Sequence, residues 1–95
     1  MIVRWSAEAE QDRKSIATYI AADNPHAAAR MDAVFDAAAT SLSAFPHRGR
    51  AGAVAGTREL MPHENYRLVY EIDDETVSIL AVIHAARQWP PPEQT

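Results

Sequence analysis

Asn24-Pro25 separates two alanine-rich segments, and no other feature of the chain limits its fold as strongly. Asparagine suits a helix N-cap, and proline suits the first helical position, where its missing N–H costs nothing. Upstream, AEAEQDRKSIATYIAAD places Ala9, Ile16 and Ile20 on one helical face with Ala17 beside them, and Glu10, Lys14 and Thr18 on the other. Ser6 reads as the N-cap of that helix, with Glu8 and Glu10 in a first turn whose dipole favours negative charge. Downstream, Ala28, Met31, Val34, Phe35, Ala38 and Leu42 recur at spacings of three and four, and the pattern stops before Pro46. With only Asp23-Asn24 between them, the two helices are expected to pack as an antiparallel hairpin.

The remaining periodicity has the period of strands. IVRW over 2–5 reads as a first strand, RELMP over 58–62 as a second, YRLVYEI over 66–72 as a third, and ETVSILAVIH over 75–84 as a long fourth. Asp73-Asp74 is the expected turn between the last two. The stretch PHRGRAGAVAGT holds all three glycines, has no hydrophobic period, and reads as a loop. The order β-α-α-β-β-β predicts an α+β fold, with an N-terminal helical hairpin packed on one face of a mainly antiparallel four-stranded sheet. A single domain is expected over 1–90, and a frayed, proline-rich tail over 91–95.

A two-residue turn at Asp73-Asp74 also sets a register. Tyr66, Leu68, Tyr70 and Ile72, with Glu75, Val77, Ile79 and Ala81, form the more apolar set and are expected to face the helices. Arg67, Val69 and Glu71 would share the opposite face with Thr76, Ser78, Leu80, Val82 and His84. On that face Val69, Leu80 and Val82 make an apolar strip suited to a partner. Arg67 would face Leu80, about 13 Å of strand rise from His84. The pair could flank one substrate without bonding to each other. The plainer readings pair Arg67 with Glu71 and bond His84 to backbone at a strand end.

Charge narrows the function classes. The chain carries nine Lys+Arg against thirteen Asp+Glu, a net charge of −4, whereas a protein that grips nucleic acid usually has a basic surplus. Arg48, Arg50 and Arg58 fall within eleven residues and could clamp an acidic partner, though a solvated loop explains them as well. There are no cysteines, so disulfides and thiolate metal sites are excluded and a reducing cytoplasm is the expected location. No apolar run approaches the ~20 residues that span a bilayer, so no membrane partner is expected. His26, His47 and His63 lack metal-ligand spacing, and neither a metal nor another cofactor is expected. Trp5 and Trp89 read as core or core-edge packing.

Taken together, HRGRAGAVAGTREL, YRLVYEI, the acidic turn and VIHAARQWP resemble the RelE/ParE superfamily of toxins from bacterial type II toxin–antitoxin systems, over residues 2–90. The resemblance implies one fold with two activities. RelE-like members cut messenger RNA on the ribosome without metal, and ParE-like members inhibit DNA gyrase. Both are neutralised by a cognate antitoxin. If the chain is an RNase, the resemblance makes Arg67, His84 and Arg87 its catalytic set. The RNase subgroup with a histidine at position 84 has tyrosine next, where this chain has Ala85. RelE-type lysines and a C-terminal tyrosine are also absent, since the one lysine is Lys14 and no tyrosine follows Tyr70. A ParE-like gyrase inhibitor is therefore the favoured expectation. A ribosome-dependent endoribonuclease, or a weakly toxic paralogue that mainly binds antitoxin and represses its operon, are the alternatives.

Overall fold

The computed structural model describes residues 1–92. Its elements run β1 (Ile2–Trp5), α1 (Ala7–Ala21), α2 (Pro25–Ser41), β2 (Arg50–Ala51), β3 (Thr57–His63), β4 (Tyr66–Asp73) and β5 (Thr76–His84). The helical hairpin stands as its caps predict. Ser6 Oγ accepts from the Ala9 amide at 3.0 Å, and Asn24 Oδ1 accepts from the Ala27 amide at 3.1 Å, each satisfying one orphan donor. Arg13 ties the helices together, with Nε and Nη2 donating to the two oxygens of Asp32 at 2.9 and 2.8 Å. Its guanidinium also lies 4.4 Å from the Trp5 ring centre, which fixes β1 to the same corner.

The sheet has five strands in the order β1-β5-β4-β3-β2, which corrects the expected four. It is mixed, because β1 runs parallel to β5 while the other pairs are antiparallel. The added strand, β2, lies inside the stretch read as loop. Two residues on an edge need no apolar alternation, so nothing in the sequence marks them. They are held in place by β3 and by a neighbouring close approach at Gly49. A Cβ on Gly49 would lie 2.7 Å from the Glu59 carbonyl oxygen and 2.7 Å from Tyr70 Oη, so only glycine fits.

The core fills the space between the hairpin and the sheet. Phe35, Leu42, Leu68, Tyr70, Val77 and Ile79 are its largest fully buried members on that side, and burying a side chain of this size contributes roughly 1.5–3 kcal/mol. Tyr70 is the polar exception. Its hydroxyl donates to the Pro46 carbonyl at 2.7 Å and accepts from the Gly49 amide at 2.9 Å, so the loop after α2 is closed onto the sheet.

The β4–β5 register departs from expectation in two places. Asp73 pairs with Thr76, so the turn residues are Asp74 and Glu75 rather than Asp73 and Asp74. Asp74 has φ 50°, a left-handed conformation that aspartate tolerates better than most residues. The pairing then runs Ile72–Val77, Glu71–Ser78, Tyr70–Ile79, and resumes at Val69–Ala81. Leu80 is the extra residue of a β-bulge. Beyond it every side chain of β5 changes face relative to the simple alternation. Val82 pairs with Leu68 inside the core, and His84 pairs with Tyr66. The expected frayed tail is described only to Pro92, and residues 93–95 lie outside the described residues.

Candidate functional site

The bulge separates the residues that the alternation had placed together. Arg67 pairs with Ile83, not with Leu80, and its side chain lies on the sheet face away from the helices. His84 lies on the helix side, where its ring packs edge-on against Tyr66 at 5.7 Å. Arg67 and His84 therefore do not share a face. Val82 is 2% exposed in the core, and Val69, on the far face, is fully buried, so neither belongs to a bare apolar strip. Leu80 alone of that strip keeps some exposure, beside Trp89 in the groove along the tail.

The Arg67 guanidinium is committed within the fold. Nη1 donates to Glu59 Oε1 at 2.9 Å, and Nη2 donates to the backbone carbonyl of Arg87. Glu59, not the expected Glu71, is its carboxylate partner; Glu59 is only 5% exposed and the Arg67 side chain 14%. Arg50 approaches the same carboxylate at 3.5 Å from a side chain that is largely solvated. One carboxylate thus compensates a nearly buried cation, and the cation clamps the chain after β5 across the far face. Such a pair depends on both partners, because either one left alone is an uncompensated buried charge.

The loop cations divide in the same way. Arg58 Nη1 donates to the Gly49 carbonyl at 2.7 Å and the His47 carbonyl at 3.4 Å. It braces the loop from behind through these two carbonyls. Arg48 donates to Ser41 Oγ at 2.9 Å and is exposed.

A second group of side chains gathers on the helix side, between α1 and the end of β5. Ile16 and Tyr19 from α1, Tyr66 from β4, Ile83 and His84 from β5, and Arg87 beyond it line a groove of about 480 Å³. Tyr66 anchors it, with Phe35 edge-on at 5.4 Å behind and His63 at 6.3 Å to one side. The Ala86 amide donates to His84 Nδ1 at 3.1 Å, so the neutral imidazole carries its proton on Nε2. Asp12 closes the inner end. Its Oδ2 accepts from the Val82 amide at 3.0 Å, just past the bulge. Burial pushes its carboxyl above the ordinary carboxylate range, the Glu8 charge adds to the rise, and the Val82 bond opposes it.

Comparison with known proteins identifies this scaffold. Residues 3–89 match the family described as ParE toxin of type II toxin-antitoxin system, parDE. The chain belongs to the ParE toxin family. It is 39% identical over 89 residues to "Putative toxin Y4kP" of Sinorhizobium fredii, covering 93% of this chain and 92% of that one. It is 40% identical over 85 residues to "Toxin RelE2" of Caulobacter vibrioides, covering 90% and 96%. A solved structure titled "Chromosomal ParDE TA system from P. aeruginosa" shares the fold, with a TM-score of 0.77 at 20% identity over 88% of this chain and 95% of that one. The chain is thus a RelE/ParE superfamily toxin of the type II toxin–antitoxin class.

Within this ParE-family frame, the sequence pattern gave no site role to Asp12, Tyr19, Tyr66 or Glu59, although it set Tyr66 on the helix side of the sheet. Asp12 carried a usable signal: it lies four residues before Ile16 and seven before Tyr19, on the edge of the stripe that α1 turns to the sheet, an unusual place for a carboxylate. Glu59 carried none, because its burial depends on a cation eight residues away on the neighbouring strand.

Proposed function

We propose that this chain is a ParE-like toxin that acts by binding DNA gyrase, does not cut RNA, and is held inactive by a cognate antitoxin. The observation that carries this reading is the state of Arg67. Metal-free RNA cleavage needs a base, an acid and cations converging on one phosphate. The guanidinium that the family comparison would give to the phosphate is bonded to Glu59 and to the Arg87 carbonyl. The histidine that would serve as acid or base is on the other face of the sheet, with one ring nitrogen bonded to the Ala86 amide. Arg87 lines the groove with His84, and its contact with Arg67 is through the backbone carbonyl. Net charge supports the same reading, since −4 does not favour a ribosomal or RNA surface.

The test is gyrase supercoiling of relaxed plasmid in the presence of purified toxin. Loss of supercoiling at near-stoichiometric toxin, relieved by antitoxin, is expected. Full supercoiling at a large molar excess of folded toxin would refute gyrase as the target. The antitoxin part is checked separately, by co-purification with the protein encoded in the adjoining reading frame.

A further inference from the structure

Resting on the gyrase reading above, we propose that the loop from Phe45 to Arg50 touches the DNA that gyrase holds, with the Arg48 guanidinium on a phosphate and the Phe45 ring against the adjoining sugar. Charge is the first observation. Three of the nine cations, and none of the thirteen acidic residues, lie between Asp36 and Glu59. The loop is a basic island on an acidic body. Exposure is the second. Phe45 is 67% exposed, and His47 and Arg48 are exposed beside it. With Ser41 and Pro46 they line an open cavity of about 680 Å³, and among the described residues no carboxylate lines it. Rigidity is the third. Tyr70 Oη donates to the Pro46 carbonyl and accepts from the Gly49 amide, and Arg58 donates to the His47 and Gly49 carbonyls. A solvated connector needs no such bracing, whereas a contact loop already held in place loses less entropy on binding.

The groups around the island leave it positive. The Arg48 bond goes to the neutral Ser41 hydroxyl, at the C-terminus of α2, where the helix dipole offsets about half a charge. Glu59 is nearly buried and is shared between Arg67 and Arg50, so one carboxylate stands against two cations. Glu71 lies opposite Thr57 and faces away from the helices, on the reverse of the sheet from Arg58, which lies opposite Tyr70. Arginine beside an exposed ring is the composition that takes a sugar–phosphate chain. The acidic remainder of the molecule opposes binding to free DNA, so the contact forms where gyrase holds toxin and DNA together.

The experiment measures binding of labelled toxin to intact gyrase, alone and loaded with a linear DNA duplex. DNA is expected to raise the wild-type affinity. Arg48→Glu should lose about tenfold or more in affinity for gyrase with DNA, the loss of one charge-assisted contact, and little for gyrase alone. Phe45→Ala should show a smaller loss, again only with DNA. Arg48→Gln should lower the slope of log affinity against log salt by about 0.9, the value of one phosphate contact. Arg30→Glu, an equal charge change at an exposed site on α2, should bind like wild type in both states. The altered side chains are exposed, so the fold should persist; circular dichroism checks it. Wild-type affinity of Arg48→Glu and Phe45→Ala in the presence of DNA would overturn the contact. Equal losses with and without DNA would assign the loop to an acidic surface of gyrase itself and would also overturn it. Either result leaves gyrase as the target. No binding of wild-type toxin in either state would overturn the gyrase reading, and this proposal with it.

Discussion

The two halves of the β4–β5 hairpin obey different rules. From Asp73–Thr76 to Tyr70–Ile79, alternation alone assigns every side chain to its face: Ile72, Tyr70, Val77 and Ile79 turn to the core, and Glu71 and Ser78 turn away. Past Leu80 the same alternation gives the opposite answer for Val82 and His84. One added residue makes the difference, because side chains repeat with period two and a one-residue slip exchanges the faces. The near half is stabilised by ordinary burial. The far half is held by specific polar partners, Asp12 on the Val82 amide and Glu59 on Arg67, and the candidate sites gather there.

The sharpest way to break this contrast is to remove a carboxylate from each half. Glu59→Ala should destabilise the fold by about 3–5 kcal/mol, because it strands the Arg67 cation. Glu71→Ala, exposed near the turn, should change stability by less than ~0.5 kcal/mol. Urea unfolding of both variants measures the difference, and equal effects would mean that Arg67 is solvated rather than buried.

Next in size is the apolar pair flanking the bulge. Val82→Ala should cost about 2 kcal/mol and Leu80→Ala under ~1 kcal/mol, because Val82 is in the core and Leu80 is not. Similar losses at both positions would contradict the bulge.

Asp12 sharpens the contrast further. Asp12→Ala leaves the Val82 amide without its acceptor and should cost about 1–2 kcal/mol. Asp12→Asn keeps an acceptor oxygen and should cost less. It should also change the pH profile. The native carboxyl has a raised pKa, so as pH climbs through the acidic range the unfolded chain gives up this proton before the native state does. The Asp12 contribution to stability is therefore greatest below the ordinary carboxylate range, falls as pH rises to the native value, and is level above it. Unfolding at a series of acidic pH values should show this slope in wild type and its absence in the asparagine variant. The smallest effect is expected at the turn. Asp74→Gly should shift stability by no more than ~0.5 kcal/mol, since aspartate already tolerates the left-handed backbone there.

The helices were legible in the sequence almost residue by residue, because a cap, a proline and a 3.6-residue period are local signals. Ser6, Asn24-Pro25, Ile16 and Phe35 all stand as read. Three long strands were legible as segments. Their faces were legible only up to Leu80, because a bulge has no signature in composition. The candidate site fared worse for the same reason. Arg67 reads equally as a phosphate or partner contact and as the partner of Glu71, yet its carboxylate is Glu59 on another strand. Arg58 resembled a surface cation because its acceptors, the His47 and Gly49 carbonyls, are backbone atoms that no residue type advertises. The family likeness was legible across 2–90, since it rests on several short marks in fixed order and not on any one face.

The central claim is that this toxin arrests growth by binding and not by cutting RNA. Mapping transcript 5′ ends after inducing the wild-type toxin tests it most directly. The account predicts growth arrest with no new ends inside translated frames. New ends within codons, lost in an Arg67→Lys or His84→Ala variant that remains folded, would contradict it.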